Sequence, residues 1–210
     1  MINNRIFLAA LTGRLACETE LSMEASEPEL EYVWYAHLEN LDVLQSIAAE
    51  VIRQDQVEYR LLSKDGKNLG TMRTRKTEEN VVLTIKVYNK DAAGCIETSS
   101  VVDNDMHDVF QGFADRRLVK TRYVLPVEVV HGDEVVMRSF EVDVFERPDG
   151  SIEPWVKIDF EVPDAQFPVP SLPDLFSSSE VINASFGQRV SAEDRQRIDE
   201  IYNRVRTQLN

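Results

Sequence analysis

The 210-residue sequence predicts a mainly β fold of the α+β class, an antiparallel barrel with helices packed around it. Three observations carry that expectation. Most of the chain alternates polar and apolar residues with period two, which gives each strand one core-facing side and one polar side. Short turns bearing Gly and Asp punctuate these runs. Two stretches, residues 27–53 and 191–208, repeat their apolar residues at helical spacing instead, and helices of that kind need an apolar sheet surface to dock on.

The first alternating run begins at Cys17, and Glu18, Glu20, Ser22 and Glu24 line one of its faces, so it reads as a strand with an acidic row. Ser26 and Glu29 then spell a capping box. Leu30, Val33, Trp34, Leu38, Leu41, Leu44, Ile47 and Val51 follow on a helical period, so a helix is expected over 27–53. In its first turn Glu29 and Glu31 suit the helix dipole, a structural role. "VEYRLLSKDGKNLGTMRTRK" reads as two strands joined at Lys64-Asp65-Gly66, and "VVLTIKVYNKDAAGCIETSSVV" as two more joined through Asp91 to Gly94. "DNDMHDVFQGFADRR" suits a short helix, with His107 expected at its surface.

Three further strands turn at His131-Gly132-Asp133 and at Pro148-Asp149-Gly150. The Pro- and Ser-rich "PDAQFPVPSLPDLFSSS" has no periodicity and is expected to wrap the surface. Ser191 and Asp194 cap a last helix, whose Ile198, Ile201, Tyr202, Val205 and Leu209 form one stripe. The domain is read as residues 1–190, with 191–210 a C-terminal helix packed on the barrel.

Composition narrows the function. The formal charge is −14 and the pI about 4.7, an exterior that repels phosphate backbones, so no nucleic acid is expected as a partner. The two cysteines, Cys17 and Cys95, and the three scattered histidines make neither a disulfide framework nor a zinc site. The apolar patch in "MINNRIFLAALTGRLAC" is too short to span a bilayer and ends without a convincing cleavage site. A soluble cytoplasmic protein with no membrane partner is expected.

Strand parity then collects charges. Arg73 and Arg75 share a face, with Lys86 on the next strand; Lys120 and Arg122 share another. Glu141 and Asp143 share one, and so do Lys157, Asp159 and Glu161, with Lys157 expected in a rim ion pair. Like charges two residues apart are only about 6–7 Å from each other, given a rise of about 3.3 Å per residue, so such rows need counter-charges. Carboxylate rows suit a divalent cation and basic rows suit phosphates. If the helices cover the apolar faces, the charged faces turn toward one another and line a polar interior of both signs. Tyr123, Trp34 and Trp155 are expected in the packing.

The succession "ETELSME", "LGTMRTRK", "VLTIK", "IETS", "VKTRY", "FEVDVF" and "VKIDFEV", over residues 15–185, resembles the CYTH superfamily, the triphosphate tunnel metalloenzymes. The resemblance implies an eight-stranded antiparallel tunnel barrel and a divalent-metal-dependent hydrolase of triphosphates, with Mg2+ or Mn2+ as cofactor. It makes Glu18, Glu20, Asp159 and Glu161 metal ligands. Glu97 and Asp143 become the catalytic pair that assists metal or water positioning. Arg73, Arg75, Lys86, Lys120 and Arg122 become the grip on the phosphoryl oxygens. The chain departs from the family pattern at Ser22, Cys95 and Ser99, where Lys, Arg and Glu are usual. An adenylate cyclase of the same type is the alternative. Others are a catalytically weakened binding module for polyphosphate or nucleotide, and a barrel used as a scaffold for another protein. The expected partner is a triphosphate-containing small molecule, and a homodimer is compatible with this reading.

Overall fold

The computed structural model describes residues 30–88, 95–176, 179–185 and 188–209. Its elements begin with β1 (Leu30–His37), α1 (Leu41–Ile47), β2 (Glu50–Leu62), β3 (Asn68–Lys76), β4 (Val81–Tyr88), β5 (Cys95–Val102) and α2 (Asp105–Gln111). They continue with β6 (Arg116–His131), β7 (Glu134–Glu146), β8 (Ile152–Val162), a 3-10 turn at Asp174–Phe176, β9 (Val181–Asn183), α3 (Ala192–Val205) and β10 (Arg206–Gln208). The fold is mainly β with peripheral helices, as expected. One antiparallel sheet runs β5-β4-β3-β2-β6-β7-β8-β1-β9, with β10 added beside β6. Its end strands, β5 and β9, are not paired with each other among the described residues, and the eight long strands form a tunnel-like wall.

The helix expected over 27–53 is the main correction. The described part of that stretch is β1, the short α1 and the start of β2. β1 is packed on both sides: Trp34 and Ala36 enter one core, and Tyr35 enters another with Val33 against it. A strand buried on both faces loses its alternation, and its apolar run then has no period that separates it from a helix. What helix there is starts later, at Asn40, whose side chain accepts a hydrogen bond from the Val43 amide at 3.2 Å.

The other predicted elements that fall on described residues are in place, while the strand expected from Cys17 and the turn through Asp91 to Gly94 lie outside them. Gly66, with φ 79°, makes the turn between β2 and β3, and Gly132, with φ 63°, makes the tight β6–β7 hairpin. A Cβ at Gly70 would lie 2.0 Å from the Lys86 carbonyl oxygen, so glycine is what lets β3 approach β4 there. Ser191 caps α3 by accepting from the Asp194 amide at 3.0 Å. The Pro- and Ser-rich stretch does more than wrap the surface: Phe167 and Phe176 are buried in the main core and strap it down. The short β9 was not foreseen.

Register divides the sheet into two faces. On the apolar face Phe140, Val142, Val144, Val156, Ile158 and Phe160 pack with Trp34 and Tyr123 beneath α1. Val57, Met72 and Leu83 pack beneath Phe110 of α2. Each such side chain contributes about 1.5–3 kcal/mol on burial. The last helix corrects a second expectation, because it does not sit on this face. Ile201 and Val205 of α3 pack on Tyr35, Leu118 and Phe145, which belong to the opposite, charged face. That face is polar along only part of its length; its far end is apolar, and α3 covers that end.

Candidate functional site

Pairing carries the predicted charges onto one surface. Arg122 lies opposite Asp143, Asp143 opposite Lys157, and Glu141 opposite Asp159. On the other flank Lys86 lies opposite Glu97 and beside Thr71, whose strand parity is shared by Arg73 and Arg75. A cavity of about 630 Å³ opens on this face, with Arg75 of β3 and Ser139 and Glu141 of β7 in its lining. β3 and β7 are three strand spacings apart, about 14 Å on a flat sheet, so the sheet curls around the cavity.

The walls are unequal. On β3 to β5, three cations (Arg73, Arg75 and Lys86) have one carboxylate between them, Glu97. It lies 2.5 Å from Lys86 Nζ and 3.8 Å from an Arg73 nitrogen. On β8 and β1, three carboxylates (Asp159, Glu161 and Glu31) have one cation on their own strands, Lys157. Its Nζ is 2.6 Å from Asp159 and 3.5 Å from Glu31. Between the walls, Asp143 is 1% exposed; it accepts from Arg122 Nε at 2.8 Å and from Lys120. Arg122 also bonds Glu141 and reaches Asp159 at 3.8 Å.

These contacts set the protonation of the buried groups. Burial works against the Asp143 carboxylate, but Lys120 and Arg122 outweigh it and hold the pKa down at about 2. Burial pushes Lys120 down to about 8, against the pull of Asp143. Burial also dominates at Asp159 and, with Glu31 and Asp143 nearby, lifts its carboxyl to about 7 despite Lys157.

Arg75 differs from the other cations. Among the described residues it has no ion pair, and burial together with the neighbouring Arg73 and Arg122 lowers its pKa from the usual guanidinium value, against the weaker opposing pull of Glu141 and Asp143. Among the described residues, three buried polar atoms on this face also lack hydrogen-bond partners: Arg73 Nε, a donor, and two acceptors, Gln54 Oε1 and Asp159 Oδ1, the last of which has only the ion pair with Lys157. Leaving such a group unsatisfied costs about 1–3 kcal/mol, so an arrangement of this kind is stabilised by a ligand that supplies the missing partners.

Arg73, Arg75, Lys86, Glu97, Lys120, Arg122, Asp143, Asp159 and Glu161 thus share one face. Glu18 and Glu20 lie outside the described residues. Glu31, read from sequence as a helix residue, is opposite Glu161 and joins the acidic wall. Its Glu-x-Glu spelling was the available signal, overridden by the capping-box pattern. Lys157, expected at a rim, is interior to the ion-pair network. His107, expected at the surface, is 2% exposed on the opposite face, with Nδ1 3.0 Å from the Thr74 hydroxyl and Nε2 3.7 Å from Asp55. Packing against the sheet, not solvation, decided its place. Ser99 bonds Thr84 at 2.9 Å and adds no charge to either wall.

Among the described residues, no three His, Cys, Asp or Glu side chains converge to hold a metal ion. Asp159 and Glu161 face the same side, but Asp159 is engaged by Lys157. The described carboxylates alone do not make a cation cage.

No protein-family model and no curated protein matches the chain. Several solved structures are similar in fold. The hypothetical protein NE1496 is 18% identical, with 80% of this chain and 96% of that one covered at a TM-score of 0.41. A candidate adenylate cyclase of Bacillus halodurans is 14% identical, with 66% and 82% covered at 0.43. The Hippeastrum adenylyl cyclase candidate HpAC1, described as having a dominant triphosphatase activity, is 16% identical, with 65% and 80% covered at 0.39. At these values the likeness is one of overall β architecture.

Proposed function

We propose that the chain binds a linear triphosphate, or the triphosphate of a nucleotide, across its charged cavity and hydrolyses the terminal anhydride. The observation that carries this reading is Arg75, a partly buried guanidinium with no carboxylate at ion-pair distance among the described residues, flanked by Arg73 and Arg122 and lining the cavity. Glu141 and Asp143 offset these like charges in part, an anion among the cations would offset the rest, and a planar guanidinium fork suits phosphoryl oxygens. Arg73 and Lys86 would exchange Glu97 for phosphate as the ligand enters. Phosphoryl transfer needs neutralised oxygens and a placed water more than covalent help, which fits a site made of cations and carboxylates. Inorganic triphosphate heads the substrates because, among the described residues, no base-reading pocket accompanies the cations.

A dependence on Mg2+ or Mn2+ belongs to the proposal. Asp159 and Glu161, with Glu31 opposite, are the described carboxylates nearest to such an ion's place, and no step is assigned to it. The neutral Ser99–Thr84 pair on the basic wall favours, as a second reading, a module that binds polyphosphate without turnover. The test is phosphate release from inorganic triphosphate, ATP and thiamine triphosphate in Mg2+, Mn2+ or EDTA. Release that disappears in EDTA and in Arg75→Ala is the expected result; binding without release selects the second reading. No binding of any polyphosphate by calorimetry overturns both.

A further inference from the structure

Gln54 is a buried polar residue that neither the ion pairs nor the phosphate grip employs. It is 3% exposed, and among the described residues its Oε1 has no hydrogen-bond partner. On β2 it stands opposite Lys120, with Ile52 and Arg122 the next pair on the same face. On its other side Gln56 stands opposite Arg75. Gln54 lines the same cavity as Arg75, Arg122 and Glu141.

The cations around this oxygen do not serve it, because Lys120 and Arg122 donate to carboxylates. A fully ionised phosphate offers acceptors only. Water offers two O–H groups, and a neutral amide takes one of them without exchanging a proton. On the reading of this cavity as a triphosphatase site, we infer that Gln54 positions the attacking water. Oε1 accepts one O–H, which turns the oxygen lone pair toward the terminal phosphorus held by Arg75. A residue that orients the nucleophile is a general requirement of phosphoryl transfer to water.

The step balances as follows. The water oxygen bonds to phosphorus, and the anhydride P–O bond breaks with its electron pair left on the diphosphate. The water proton passes to the Glu141 carboxylate, which shares the cavity lining and is paired with Arg122, and from there to bulk water, and orthophosphate and diphosphate leave. Gln54 is unchanged throughout.

Gln54→Met keeps the length of the side chain and removes the acceptor, whereas Gln54→Glu keeps an acceptor oxygen. Steady-state phosphate release from inorganic triphosphate gives kcat and KM, while calorimetric titration of inorganic triphosphate in EDTA and a thermal melt report binding and folding. The expected result is a fall in kcat of about tenfold or more in Gln54→Met, with KM and triphosphate affinity unchanged. Gln54→Glu should recover part of kcat while raising KM through charge repulsion. A Gln54→Met enzyme with the wild-type kcat, or one altered only in KM, overturns the assignment while the triphosphatase reading stands. A wild type that binds triphosphate without releasing phosphate overturns hydrolysis and the role of Gln54 together.

Discussion

Arg75 and Arg122 lie two strand spacings apart on one face, and their removal has opposite consequences for the fold. Arg122 is the partner of Asp143, Glu141 and Asp159, so Arg122→Met leaves the 1% exposed Asp143 with Lys120 alone. The expected loss is about 3 kcal/mol, the lower end for breaking a buried pair, because Lys120 remains. Arg75→Met removes a cation with like-charged neighbours and, among the described residues, no ion-pair partner; Glu141 and Asp143 attract it less than burial and its like-charged neighbours oppose it, so folding stability should hold or rise while triphosphate affinity falls. Denaturant midpoints of the two variants, set beside calorimetry, check the contrast; equal destabilisation would mean that Arg75 has a structural counter-charge. The carboxylates also make a pH prediction. Asp159 has a folded pKa near 7, above its unfolded value, so its contribution is fully present below about pH 4 and is lost as the pH rises through 7. Asp143 is depressed to about 2, so its contribution is present above about pH 4 and is lost as the pH falls toward 2. Stability should therefore decline between pH 5 and 7.5, and Asp159→Asn should flatten that slope in urea titrations.

At the scale of elements, α3 shows how one helix can close an end of a polar face. Its C-terminal turn is tied down through Arg204, which shares the fully buried Glu153 with Arg147 at 2.9 Å, and Tyr202 meets the Tyr35 hydroxyl at 3.1 Å. Glu153→Ala leaves two guanidinium groups that are 32% and 41% exposed and can turn to water, so the loss is expected to be about 1–2 kcal/mol rather than that of a fully buried pair. Hydrogen exchange should show the loosening in 192–208 first; protection lost equally in β6 would mean that Glu153 supports the whole sheet. This helix was legible in the sequence from Ser191 and its apolar stripe, but the face it covers was not. Strand parity says which residues share a side, and only strand order reveals that Leu118, Phe145 and Tyr35 make an apolar end on the charged side. For the same reason the basic rows were readable at Arg73, Arg75, Lys120 and Arg122, whereas the pairing of Asp143 with Lys120 was not. β1 escaped recognition because Trp34 and Tyr35 are buried on opposite faces, although its run of Tyr32, Val33, Trp34 and Tyr35 favours a strand over a helix. That misreading alone hid Glu31.

For the whole molecule, the proposed function requires a chain of formal charge −14 to admit a polyanion to an internal basic wall. At long range the net charge repels triphosphate, and only near the cavity do Arg75 and Arg122 dominate. Glu50, Glu78 and Glu79 stand in the cavity lining beside Arg75, so the approach passes acidic groups before it meets the cations. Screening lengths are about 30 Å at 0.01 M salt and about 8 Å at 0.15 M, so added salt removes the distant repulsion before it weakens the enclosed contacts. The association rate of inorganic triphosphate, followed by stopped flow, should therefore rise as NaCl is raised from about 20 to about 150 mM, opposite to the behaviour of a protein that steers anions with a basic exterior. Glu78→Gln with Glu79→Gln should raise the low-salt rate and shrink its salt dependence. An association rate that falls with salt in the wild type would mean that the basic wall already governs the field at the entrance, and that the acidic exterior has no part in controlling access.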